Sequence, residues 1–204
     1  MTSVLLALLC FAIPGVGAAA EIEWSTNNVS FVGEDGQNSI SLKGSLVEAI
    51  SLGRVDAAPD AAVKVINGGK TEEIEFKQRE DVLPSGGFAT APDLKTSDAN
   101  WNAVIKSADW CSAPNPTTLT LKNLNEGKRY QIELFVYDQR DAGIARRTAT
   151  FDDGQANKSE TIRQDAGVSI IGLFVADGAE QAIKLTQGNA AHPTLNAYIL
   201  RLID

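Results

Sequence analysis

"TLTLKNLNEGKRYQIELFVYD", Thr118 to Asp138, is the stretch whose reading decides the fold class. Leu119 and Leu121 alternate with threonines, and past a Gly-containing turn Tyr130, Ile132, Leu134 and Val136 occupy every second position. Side chains of a strand point to opposite faces in turn, so this spacing predicts two half-buried strands joined by a tight connection. The same alternation recurs at Ile40/Leu42, Val63/Val65, Ile74/Phe76, Ile171/Leu173/Val175, Ile183/Leu185 and Ala197/Ile199. The runs are separated by turn-forming stretches such as "NGGK" (67–70), "PSGG" (84–87) and "QGNAAHP" (187–193). Many short strands with no long helical run between them predict an all-β fold, an antiparallel β-sandwich or jelly roll.

Two stretches depart from that pattern. "GSLVEAISLG" (44–53) fits helical spacing and strand alternation about equally well. "DANWNAVIKSADW" (98–110) sets Trp101, Val104 and Ile105 at offsets of three and four behind Ser97 or Asp98 as N-cap. It predicts one short surface helix within a long central loop, from about Lys77 to Asn115, that is otherwise irregular.

Residues 1–20 carry no charged side chain and end in Ala18-Ala19-Ala20, which reads as a secretory signal peptide cleaved before Glu21. Pro14, Gly15 and Gly17 interrupt it, so it is a poor membrane span. Leu9 before Cys10 argues against lipidation. The expectation is a single sandwich domain over residues 21–204, secreted to an extracellular or periplasmic space. Cys111 is then the one thiol left, which excludes an internal disulfide and leaves a bond between chains open. A net charge of −8 without a basic block makes nucleic acid a poor partner.

Catalytic chemistry finds little purchase. One histidine, His192, excludes a two-histidine zinc site. A Cys111–His192 nucleophile pair competes with the plainer reading of a stray thiol and a surface imidazole. No P-loop, G-x-S-x-G or G-x-G-x-x-G occurs, and no cofactor is expected. "GEDG" (33–36) and "DDGQAN" (152–157) gather oxygen donors around a glycine, which leaves a structural calcium open beside the reading as solvated turns.

Phase counting through "YQIELFVYD" puts Tyr130, Ile132, Leu134 and Val136 on one face and Gln131, Glu133, Phe135 and Tyr137 on the other. Asp138 follows on the core side, where a carboxylate needs donors. Arg140, Arg146 and Arg147 are placed to return to it, so Asp138, Arg140 and Arg147 read as a clasp closing the 138–147 loop. Phe135 and Tyr137 either lie under a further layer or form an exposed platform for sugar rings. Trp101 and Trp110, with Asn100 and Asp109 beside them, make the second candidate platform, or else pin their loop to the core.

Leu121, Leu124, Gly127, Tyr130, Asp138, Arg140, Arg147, Gly172, Phe174, Asp177, Asn196, Ala197 and Leu200 together carry a resemblance. Over about residues 117–203 the chain resembles the galactose-binding-like jelly-roll modules of secreted bacterial proteins, of the malectin and carbohydrate-binding-module kind. The resemblance implies a jelly roll that binds a polysaccharide or other glycan without catalysis. The "L-x-x-L-x-x-G-x-x-Y" turn is also similar to that of fibronectin type III domains, for which this chain is too long. Two other readings stand beside it: an extracellular or surface structural protein making protein contacts, and a hydrolase acting on polysaccharide or ester.

Overall fold

The two strands of the 118–138 stretch form where the alternation puts them, yet they do not pair with each other: they belong to two facing sheets. The computed structural model describes residues 19–53, 60–79, 82–83, 87–89, 94, 96–111, 116–139, 147–188 and 194–203. Its strands are β1 (Glu23–Asn27), β2 (Ser45–Leu52), β3 (Ala61–Asn67), β4 (Lys70–Arg79), β5 (Gly87–Ala89), β6 (Ser107–Trp110) and β7 (Thr117–Lys122) in the first half. The second half adds β8 (Arg129–Phe135), β9 (Thr148–Asp152), β10 (Ile162–Arg163), β11 (Ser169–Val175), β12 (Glu180–Gln187), β13 (Thr194–Leu195) and β14 (Ala197–Leu202); helix α1 spans Ala99–Ile105. A seven-stranded sheet runs β1-β11-β8-β14-β2-β4-β3, a four-stranded sheet β10-β9-β12-β7, and a three-stranded sheet β13-β6-β5. The fold is an all-β sandwich, antiparallel except where β2 runs parallel to β4.

The connection between β7 and β8 is built for the crossing. Gly127 takes φ +76°, open to glycine at little cost, and its N–H bonds Ala176 O at 2.8 Å. Tyr130 Oη accepts the Asn125 N–H at 2.9 Å, so the tyrosine ties the turn to the strand it enters. Leu121 and Leu124 are buried in the same cluster as Tyr130.

That cluster is the space between the sheets. Tyr130, Ile132, Leu134 and Val136 meet Leu119 and Leu121 of β7, Phe151 of β9, and Ile183 and Leu185 of β12. Burying one such side chain contributes about 1.5–3 kcal/mol, so this layer dominates the stability of the sandwich.

The other face of the large sheet is covered as well. Phe135, Ala49, Ala197 and Ile199 join Val63, Val65, Ile74 and Phe76 of the β3-β4 hairpin in a second cluster. Phe31, Ile40 and Leu42 from the segment after β1, and Trp101, Val104 and Ile105 from α1, close it. Every residue of β8 from Tyr130 to Phe135 is therefore buried, whereas antiparallel sheets commonly leave one face wet.

Several expectations change in detail. The 44–53 stretch is strand β2, because β14 and β4 flank it on both sides and Ala49 and Ile50 feed opposite cores. Ile40 and Leu42 are not in a strand; they follow a 3-10 turn at Gly36–Ser39. In β11 the buried phase is Ile170, Gly172 and Phe174, leaving Val175 52% exposed. A Cβ on Gly172 would lie 2.7 Å from Ile22 Cγ2, so only glycine admits the lead-in to β1 over that strand. The helix starts as predicted, with Asp98 Oδ1 accepting the Trp101 N–H at 2.9 Å. It lies at the surface with Ala99 and Asn100 exposed, turns Trp101, Val104 and Ile105 into the core, and runs straight into β6.

Residues 1–18 of the expected leader lie outside the described residues. Ala20, which cleavage before Glu21 would remove, is buried and bonded in both directions to the Gln181 side chain, at 2.9 and 3.3 Å. No helix among the described residues is long and apolar enough to cross a membrane.

Candidate functional site

The proposed aromatic platforms are mostly core. Trp101 and Phe135 have no exposed surface, and Tyr137 keeps 5%. They pack edge to face around Phe31, with Trp101 and Phe135 centroids 5.2 Å apart, and Trp101 Nε1 donates to Phe31 O at 2.8 Å. The Tyr137 hydroxyl is spent on Gln139 Oε1, and burial, aided by the Asp165 charge, raises its pKa. Asp109 is buried, with Oδ2 accepting the N–H groups of Val82 and Leu83 at 2.9 and 3.2 Å. Asn100 is exposed but donates to Ala62 O at 2.6 Å, and Trp110 is half-buried on β6. The structure thus does not bring these six residues together as one exposed surface: propensity placed the rings on the right faces, and a second layer then covered them.

Asp138 is fully buried, in keeping with the phase count. Arg140 and Arg146 lie outside the described residues, as does His192. What visibly closes the 138–147 loop is the backbone of Gln164, whose carbonyl accepts the Asp138 N–H and whose N–H donates to Arg147 O. Cys111 is buried and forms no disulfide among the described residues. In the "DDGQAN" loop the Asp153 carboxylate accepts N–H groups from Ile22, Gln155 and Asn157, and Asp152 accepts that of Gly154. In "GEDG", Glu34 O and the Asp35 carboxylate accept bonds from Ser97 just ahead of α1.

A cleft of about 590 Å³ opens elsewhere, between the end of β1, the segment 38–43 and the β3-β4 turn. That turn is Asn67-Gly68-Gly69-Lys70, with φ +57° and +75° at the two glycines, the conformation that matches the twist of a two-residue hairpin. Segment 38–43 is pinned from three directions. Asn27 Nδ2 donates to Ser39 O at 2.9 Å, Ser41 N–H donates to Glu133 Oε2 at 3.0 Å, and Asn67 Nδ2 donates to Ile40 O at 2.8 Å. Asn38 Oδ1 takes the Ile66 N–H at 2.7 Å. Val29, Leu42 and Ile171 add aliphatic surface, and Lys43 and Lys70 stand at the rim.

Several polar groups here have no partner among the described residues. The Ser39 Oγ is buried without a hydrogen bond, and the Asn38 amide N–H₂, the Asn67 Oδ1 and the two ammonium groups are unspent. The Ser39 hydroxyl lies beneath the surface, so the groups the wall presents to a ligand are the Asn38 and Asn67 amides and the two ammoniums.

Glu133 organises this wall from below. It is buried and accepts from Ser169 Oγ at 2.7 Å, Ser41 N–H at 3.0 Å and Asn27 Nδ2 at 3.4 Å. Burial raises its pKa above 4.5, against the pull of those donors and of the Arg201 charge. Arg201, itself buried, is paired with Glu72 at 3.0 Å. A carboxyl raised on folding holds its proton better in the native state, so its contribution is complete below the unfolded value and is lost as pH climbs through the folded one. The stability advantage of wild type over Glu133→Gln, measured by urea denaturation, is therefore expected to be greatest near pH 4 and to shrink towards neutrality. An advantage that grew over the same interval would reverse the assignment.

No family model and no curated protein matches the sequence. Solved structures do resemble it: the ANX2 ectodomain of Arabidopsis thaliana, at 12% identity over 79% of this chain and 53% of that one, superposes with a TM-score of 0.50. The ANX1 ectodomain of the same plant gives 16%, 76%, 41% and 0.49, and the Bacteroides uniformis β-glucuronidase 11%, 65%, 16% and 0.42. This chain spans about half the length of either ectodomain or less, and at such identities the likeness with the ANX2 ectodomain is one of fold.

Proposed function

We propose that this chain is a non-catalytic recognition module that works outside the cell and binds a glycan in the cleft framed by Asn27, Ser39, Ser41, Asn67 and Lys70. The observation that carries the reading is the set of unspent amide and ammonium groups on a cleft wall whose backbone is pinned by bonds from three neighbouring elements. Pre-formed concave sites with a few directed polar groups beside aliphatic surface suit a hydroxyl-rich ligand. The uncharged leader-like stretch at residues 1–20 supports export, and the ANX2 fold likeness is to a protein described as an ectodomain.

Affinity electrophoresis of the wild type through a panel of polysaccharides, neutral and acidic, tests the reading. Lys70→Ala is the informative variant, because this cleft-lining side chain is exposed and its loss leaves folding unharmed. Retardation is expected for wild type, weakened about tenfold in Lys70→Ala, which corresponds to one contact of about 1.4 kcal/mol. No retardation on any polysaccharide rejects glycan binding.

A second reading, protein contact, draws on Val29 and Ile66, which are 61% and 51% exposed beside the same cleft. It predicts that Ile66→Ser, outside the cleft lining, weakens partner capture while leaving glycan retardation intact.

A further inference from the structure

We infer that the ligand of this cleft is an acidic glycan, one bearing sugar carboxylates or sulfates, with Lys43 and Lys70 as the groups that receive the anion; this inference rests on the recognition reading above. The chain as a whole carries a net charge of −8, so an anion approaching it at random is repelled. The cleft reverses that balance. Its lining includes two lysines and no aspartate or glutamate. Neither ammonium is in an ion pair among the described residues, in contrast to Lys77, which meets Asp60 at 3.3 Å and Glu75 at 3.7 Å.

Donor counting points the same way. Asn38 has its carbonyl oxygen committed to the Ile66 N–H, which leaves its N–H₂ to donate. The lysine ammoniums can do nothing but donate. Against these stand the unspent Asn67 Oδ1, whose own N–H₂ is held by Ile40 O, and the Ser41 hydroxyl, with no carboxylate among the lining residues. A neutral sugar's hydroxyls accept, but each also donates and so asks the protein for an acceptor, and carboxylates are the strongest acceptors a site can supply. The carboxylate nearest the cleft, Glu133, lies beneath the wall with its oxygens taken by Ser41, Ser169 and Asn27. A donor-rich, carboxylate-free wall is matched by a ligand that brings acceptors and negative charge.

The test is affinity electrophoresis through gels cast with alginate, with dextran sulfate, and with neutral mannan and dextran, using the wild type and the double variant Lys43→Gln/Lys70→Gln. Both lysines are exposed and unbonded, so the variant is expected to keep the wild-type melting temperature, which is checked first. Alginate and dextran sulfate separate carboxylate from sulfate as the preferred anion. The expected result is retardation on at least one acidic polymer, reduced at least tenfold in the double variant and weakened by raising salt from 0.05 to 0.5 M, as for roughly one to two charge contacts. Retardation on neutral mannan or dextran that the double variant leaves unchanged overturns the acidic-ligand inference and leaves glycan recognition standing. Retardation on the acidic polymers that neither salt nor the double variant moves overturns it equally. Silence on all four polymers removes both.

Discussion

Asn196→Ala is expected to destabilise the protein by about 3–5 kcal/mol. Asn196 is fully buried where β14 begins. Its Nδ2 is shared among the carbonyls of Ile105, Ser107 and Tyr137 at 2.9, 2.9 and 3.1 Å, and its Oδ1 accepts the Tyr137 N–H at 2.6 Å. Its own backbone bonds Phe135 O and Leu52 N. One side chain therefore ties the end of β8 to the junction of α1 and β6, and its main chain ties β8 to β2. Alanine removes the acceptor of the Tyr137 N–H and the donor shared by the three carbonyls, at about 1–3 kcal/mol for each buried group left without a bond. Asn196→Asp keeps the oxygen but aims a second one at three carbonyls, so it is expected to do no better than alanine. Urea denaturation reads both; an alanine variant within 1 kcal/mol of wild type would mean that water replaces the side chain at no cost.

The second large effect concerns Trp101. Trp101→Ala is expected to cost about 3–5 kcal/mol, lowering the melting temperature by on the order of 10 °C. The indole fills the space between the rings of Phe31, Phe76 and Phe135, at centroid distances of 6.2, 5.7 and 5.2 Å. Its N–H satisfies Phe31 O, so truncation leaves both a cavity and an orphaned carbonyl. Trp101→Phe keeps most of the packing and is expected to lose about 1–2 kcal/mol, chiefly the hydrogen bond. Thermal unfolding separates this role from ligand stacking. A Trp101→Ala protein that melts like wild type while failing to bind glycan would restore the indole to the surface.

Both residues show how far local sequence reaches. "L-x-x-L-x-x-G-x-x-Y" could be read because its parts act within one turn: a glycine at positive φ and a tyrosine bonding five residues back. The start of α1 was legible for the same reason, since Asp98 caps a backbone N–H three residues away. The role of Asn196 was quoted as part of a pattern, yet its partners Ile105, Ser107 and Tyr137 lie 91, 89 and 59 residues distant. Nothing in the spacing of the asparagine announces them.

The candidate site was legible only in fragments. "NGGK" declared its turn through two adjacent glycines. Asn27, Asn38 and Ser39, by contrast, sit in stretches without periodicity, and Glu133 counted as one polar member of a strand's second face. Ile40 and Leu42 mimicked a strand by accident of spacing, which hid the fact that their segment forms a wall of the cleft.

Sequence by itself determined the class: alternation with period two, broken by glycine, asparagine and proline, admits little but a sandwich of short strands, because backbone sterics and side-chain direction are local properties. Which face of β8 stays wet was decided only in three dimensions. α1 and the segment after β1 bring Trp101 and Phe31 onto Phe135, and apolar burial over that shared surface turns a face with aromatic promise into core. The same packing closes the segment against Asn27, Glu133 and Asn67, and so shapes the cleft beside them.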